Sequence, residues 1–155
     1  MIRNAPALLF DSNIWVALTF PPHPFHPAAT AVLATCAENV HACFCRSSQQ
    51  SFLRLITTAT LARTYRFPEL DNQQAIEILT GYLELPFVDF LNEPPGIHEL
   101  WLHLANRNTA SPKVWMDAYL AAFAISGKLP LVTTDKDFRQ YVPEGLDLQL
   151  LNPEI

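Results

Sequence analysis

Three aspartates interrupt apolar sequence at points where a charge is costly unless something compensates it. Asp11 closes the run Ala7-Leu8-Leu9-Phe10, Asp117 sits inside the stretch from Val114 to Ala124, and Asp135 follows Leu131-Val132-Thr133-Thr134. A carboxylate in such surroundings needs a cationic partner. Three of them, far apart in sequence, point to one shared cation. The fold must therefore bring strand ends and a helix face to one edge, which predicts an α/β architecture around a divalent-metal site.

The flanking segments supply the elements. Residues 7–10 form a short buried strand by their apolar run, and Asn13–Leu18 a turn or two of helix that Phe20-Pro21-Pro22-His23-Pro24 stops. Pro27 opens a helix through about Cys36, Val40–Cys45 is a second strand, and Ser47 or Ser48 caps a helix running to about Thr58. Helical spacing recurs at 73–83 and 97–107, with a third strand over Leu85–Phe90 between them. Ser111-Pro112 resembles an N-cap with proline at the first helical position, matched at the other end by Gly127 and Lys128. Leu129–Thr133 and Leu146–Leu151 complete the strands. Strands alternating with helices predict a three-layer α/β/α sandwich whose central, mainly parallel sheet has about five strands.

Composition narrows the class. The chain has 155 residues, half of them hydrophobic and 16% charged, which suits one domain spanning 1–155 with a proper core. No apolar run reaches the roughly 18 residues of a membrane span, and the N-terminus lacks a signal-peptide pattern, so a cytoplasmic protein is expected. Cys36, Cys43 and Cys45 are odd in number and lack a second Cys/His cluster, which favours reduced, structural thiols over disulfides or zinc. The net charge of −5 is divided unevenly: residues 1–66 hold five basic and two acidic side chains (+3), residues 67–155 five and thirteen (−8). An acidic total argues against long, non-specific phosphate tracking, but not against a local arginine cluster. Arg46 and Arg54 are the candidates for contact with a nucleic-acid backbone, surface solvation being the alternative.

Placed on these elements, the acids converge. Asp11 and Asp135 lie at the carboxyl ends of the first and fourth strands, where open α/β sheets gather their sites. Val114, Leu120, Ala121 and Ala124 share a helical stripe with Asp117, which turns its carboxylate towards the sheet. Oxygen ligands without clustered histidines favour Mg2+ or Mn2+ over zinc. Hydrolysis of a phosphodiester suits such a site, since a metal can activate the attacking water and a second can stabilise the leaving oxygen. Ordinary structural roles also exist: Asp11 can cap the next helix and Asp135 a turn before Phe138. Asp137 is a secondary or solvated acid. Thr133 can orient Asp135 or serve as a plain strand threonine, and Asn13 can support Asp11 or pack at the helix start. His23 and His26 occupy a proline-rich loop and can touch a partner or pack locally. Trp15, Trp101 and Trp115 are core or interface aromatics.

At these residues the chain resembles the PIN-domain family, and within it the VapC-type toxins of prokaryotic toxin–antitoxin pairs. Leu9-Phe10-Asp11-Ser12-Asn13-Ile14-Trp15 resembles the first acidic motif, Cys45 to Thr57 the second, Trp115 to Ala124 the third, and Leu131 to Phe138 the fourth. The resemblance covers almost the whole chain and implies a metal-dependent endoribonuclease that cleaves cellular RNA and arrests growth. Asp11, Asp117 and Asp135 would bind Mg2+ or Mn2+. It also implies a homodimer and a cognate antitoxin, for which exposed apolar residues in the helices at 27–36 and 47–58 offer a surface. PIN domains commonly carry a glutamate in the second motif, and the matching position is Gln49. Sharing an inward face with Phe52, Leu53 and Ile56, Gln49 is expected to point where that carboxylate would, weakening metal affinity. Two other functions fit part of the pattern. One is a PIN-fold RNA- and antitoxin-binding module whose Gln49 has ended catalysis. The other is an aspartate-based phosphomonoesterase, which usually needs an acid where this chain has Asn13.

Overall fold

The order of the strands explains why acids distant in sequence meet. In the computed structural model, which describes residues 6–36 and 39–153, β1 (Ala7–Phe10), β2 (His41–Phe44), β3 (Val88–Phe90), β4 (Leu131–Thr133) and β5 (Leu148–Leu150) form one sheet. All neighbours pair in parallel, in the order β3-β2-β1-β4-β5. The chain steps outward from β1 to β3, then returns to lay β4 on the other side of β1. The reversal falls between β1 and β4, and a crevice opens there at the strands' carboxyl ends. Phe10 is in register with Val132, and the Asp11 N–H donates to the Val132 carbonyl at 2.9 Å, which brings Asp11 beside Thr133.

Side-chain alternation along the strands divides the interior in two. Leu9, Cys43 and Leu131 face a core completed by α6 (Ile97–Ala105), α7 (Val114–Gly127) and a 3-10 helix (Lys136–Glu144). Leu8, Phe10, Phe44 and Val132 face the other core, built by α1 (Ser12–Thr19), α2 (His26–Thr35), α3 (Arg46–Ile56) and α5 (Asn72–Leu83). A short α4 (Ala59–Tyr65) follows α3. Trp15 anchors the second core, stacked on Phe44 with ring centroids 3.9 Å apart and planes 9° from parallel. This is the expected three-layer sandwich, with a sheet that is wholly parallel.

Local starts and stops differ in detail from expectation. The N-cap of α3 is Cys45, not a serine, and Ser48 serves it from the third helical position by donating to the Cys45 carbonyl and accepting from the Cys45 N–H. Ser111-Pro112 forms a turn before α7, whose first residue is Val114; the Val114 N–H donates to the Ser111 carbonyl at 3.0 Å. At the other end Lys128, not Gly127, takes the left-handed conformation, with φ 54°. Gly127 packs tightly instead: a Cβ there would lie 3.1 Å from Leu129 Cδ1, so a larger residue would need that side chain to shift. All three cysteines are buried. Among the described residues no helix is long and apolar enough to cross a membrane.

Candidate active site

The end of β1 sets the first carboxylate. Asp11 is extended (φ −62°, ψ 154°) and caps α1, its Oδ1 accepting from the Ser12 N–H at 2.7 Å. Its other oxygen, Oδ2, accepts from the Thr133 hydroxyl on β4 at 2.7 Å. Thr133 Oγ1 in turn accepts from the Asp135 N–H at 3.1 Å, while Asn13 spans to β4 by donating to Thr133 and accepting from the Thr134 N–H, both at 3.4 Å. Thr133 is thus a fully buried brace between the first and fourth motifs. Burial raises the Asp11 carboxyl from 3.8 to about 6; the Thr133 and Ser12 hydrogen bonds oppose the rise, and the charges of Asp117 and Asp135 add to it.

A second group of acids gathers around a cation that the chain itself provides. Oxygen atoms of Asp117, Asp135 and Asp137 all lie within 4.8 Å of one another. The Lys113 ammonium donates to Asp135 and Asp137, each at 2.8 Å, and sits 3.5 Å from Asp117. Those hydrogen bonds, first Asp135 and then Asp137, hold the ammonium protonated well above the ordinary lysine range. Burial raises the Asp117 carboxyl, against the pull of Lys113 and with the push of Asp135. Asp135 also caps the 3-10 helix, its Oδ1 accepting from the Asp137 N–H at 2.9 Å. The ordinary capping roles open to Asp11 and Asp135 are therefore both realised, and in each case a carboxylate still faces the crevice.

Asp11, Asp117 and Asp135 line one cavity of about 290 Å³, together with Lys113, Ser51 and Arg54. The three acids that sequence spacing brought together share this space. Asp11 lies outside the tight carboxylate cluster, however, and Asp137 takes that place. The cluster offers only oxygen donors and already holds a positive charge, so a hard divalent cation fits it.

One expectation for α3 is corrected. Gln49 does not point into the cavity: it is buried, and its Oε1 accepts from Arg46 Nη1 at 2.7 Å. Its helical face does coincide with that of Phe52 and Ile56, but this face packs into the sheet-side core. The face turned to the acids carries Ser47, Ser51 and Arg54, and Ser51 Oγ lies 3.2 Å from Ser12 Oγ. Of the two arginines, Arg54 lines this cavity, whereas Arg46, its guanidinium 4.5 Å above the Phe90 ring, lines a neighbouring groove. His23 and His26 pack against neighbouring helices, His23 on Tyr65 of α4 with ring centroids 4.6 Å apart and His26 Nδ1 2.8 Å from the Ala17 carbonyl oxygen of α1. Lys113 went unnoticed in the sequence, although an i, i+4 spacing to Asp117 was there to signal it.

Comparisons with known proteins agree with this architecture. Ribonuclease VapC41 of Mycobacterium tuberculosis, in strains CDC 1551 / Oshkosh and ATCC 25618 / H37Rv, is 43% identical over 145 residues, covering 93% of this chain and 98% of the relative. A solved structure of VapBC2 from Rickettsia felis, bound to a DNA fragment from their promoter, contains a similar fold: the TM-score is 0.64 at 14% identity, over 94% of this chain and 99% of that one. The PIN domain family matches residues 8–142, a span that contains every acid of the crevice, and the chain belongs to that family.

Proposed function

We propose that this protein is the toxin of a toxin–antitoxin pair, an endoribonuclease that cuts cellular RNA with Mg2+ or Mn2+. The observation that carries this is the gathering of Asp117, Asp135 and Asp137 oxygens within 4.8 Å at the sheet's switch point, with Asp11 in the same crevice. The kinship with Ribonuclease VapC41 supports the choice of RNA. Asp117 and Asp135 would hold the metal, with Asp137 and Asp11 beside them. When bound, a divalent cation supplies Lewis acidity towards a water and towards the phosphodiester.

The chain's own residues do the rest. Thr133 and the Ser12 N–H fix the Asp11 carboxylate, so that it meets substrate in one orientation. Arg54 on the rim is placed to bind an RNA phosphate. Lys113, with an exposed side chain, neutralises the acids and must release them for a metal to enter. An antitoxin would find its place in a groove of about 340 Å³ between α3 and α5, lined by Leu53, Thr57, Ala75 and the exposed Ile76. This suits a helix laid into an apolar groove better than α2, whose exposed face is the small residues Thr30, Ala31, Ala34 and Thr35. A homodimer in the cytoplasm, with residues 1–155 acting as one domain, completes the proposal.

Mapping RNA 5′ ends after expression of wild type and Asp117→Asn tests it. New ends are expected with wild type alone, and identical maps would overturn catalysis. The binding-module alternative rests on the lack of a carboxylate on α3, where Ser51 faces Asp11. Purified wild type that binds RNA but leaves it intact in Mn2+, as Asp11→Asn does, would favour the module.

A further inference from the structure

A second groove opens beside the carboxylates, and its chemistry is opposite. It encloses about 360 Å³ between Trp101, Trp115, Met116 and Tyr119 on one side and Arg46, Ser47 and Gln50 on the other. Ser47 and Met116 border both spaces, so the groove adjoins the crevice that holds the acids. Trp115 and Met116 are 53% and 59% exposed, an unusual place for two large apolar side chains in succession. The aromatic group is held in place: the Trp101 indole N–H donates to the Trp115 carbonyl at 2.8 Å, and the Tyr119 hydroxyl to Glu93 at 3.0 Å. Trp101 meets Trp115 and Tyr119 edge-on, at interplanar angles of 69° and 84°.

We propose that this groove is a nucleobase subsite, in which an unpaired base flanking the scissile phosphate stacks on Trp115. The proposal rests on the ribonuclease function above. A phosphodiester at the carboxylates carries its bases within one nucleotide of that position, and the groove begins there. Flat aromatic faces beside hydrogen-bonding groups (Arg46, Ser47, Gln50 and Glu93) match a base, which has a π face and a polar edge. An aliphatic side chain of a protein partner would leave those polar groups unmatched, and the α3–α5 groove is available for it. The subsite would select single-stranded or splayed positions in RNA, because a stacked, paired base presents no free face.

Affinity for short single-stranded oligoribonucleotides, with Ca2+ replacing Mg2+ and an abasic residue placed at each position in turn, tests the subsite. Wild type should lose about tenfold in affinity at one abasic position. Trp115→Ala should bind the intact oligomer about tenfold more weakly and no longer respond to that abasic position, because both changes remove the same contact. Trp115→Phe should retain most of the affinity. Loss of the exposed indole leaves the Trp101 hydrogen bond to the main chain in place, and an unchanged melting temperature verifies the fold. Additive losses, or unchanged RNA affinity in Trp115→Ala, would overturn the subsite. Unchanged RNA affinity with a shift towards monomer in sedimentation would assign the face to a second copy of the chain instead. Cleavage in Mn2+ is measured in parallel. Wild type that cuts RNA but is indifferent to Trp115 defeats the subsite alone, while wild type that neither binds nor cuts RNA defeats the ribonuclease function and the subsite with it.

Discussion

The two spaces at the carboxyl edge of the sheet share a border but are built in different ways. The acidic crevice draws its residues from chain ends of secondary structure: Asp11 after β1, Asp135 after β4, and Asp117 in the first turn of α7. The aromatic groove is a helix surface, with Trp101 on α6 and Trp115, Met116 and Tyr119 on α7. Where strands stop, the backbone fixes a carboxylate through caps and cross-strand hydrogen bonds, and the charge is confined. On a helix surface, side chains are held only by their neighbours, and specificity can vary without disturbing the sheet. Chemistry and selection are thus separated, though Ser47 and Met116, the residue before Asp117, border both.

That contrast can be broken first at its acidic side. Asp135→Asn should reduce RNA cleavage by more than the roughly 100-fold that loss of a mere supporting group costs, measured as kcat/KM on a fluorogenic oligoribonucleotide. The next effect is on stability. With its pKa lifted from 3.8 to about 6, Asp11 binds its proton more tightly folded than unfolded. The metal-free protein should therefore lose stability as pH rises from about 4 to 6, and lose no more from this group above that. At 1.36 kcal/mol per pH unit the loss is on the order of 3 kcal/mol. Urea unfolding across this range should show the slope, and Asp11→Asn should remove that component. A smaller effect separates the two faces of α3. Ser51→Glu adds a carboxylate beside Asp11 and should tighten Mn2+ binding roughly tenfold, whereas Gln49→Glu should leave it unchanged. Calorimetric titration of both variants decides; equal responses would return Gln49 to the site.

The strands and most helices were legible because burial imposes a pattern. Ala7–Phe10 and Leu131–Thr133 are buried throughout, and a central parallel strand needs apolar side chains on both faces. Two elements escaped detection for lack of such a pattern. In α4 only Ala62 is buried, so no apolar stripe marks it. The 3-10 helix contains Pro143 and four charged residues, and its buried Phe138 and Tyr141 are three apart, a spacing that fits three residues per turn better than 3.6. At the site, the acids announced themselves by contrast with their surroundings. Gln49 misled for a geometric reason: its helical phase was legible, but which side of α3 would face the crevice depends on how the helix lies across the sheet. Lys113 was hidden because a lysine near a helix start looks like any solvated surface charge until the fold carries it against Asp135 and Asp137.

β1 has paired strands on both sides and helices on both faces, and Asp11 is the next residue after it. Its amides are therefore enclosed by more structure than those of any edge strand, and their hydrogens should be among the last in the chain to exchange with deuterated solvent. Fraying from either end of the sheet would reach β3 or β5 long before it reached Asp11. The floor of the crevice would then keep its shape through partial openings that loosen the rest of the molecule, and lose it only in global unfolding.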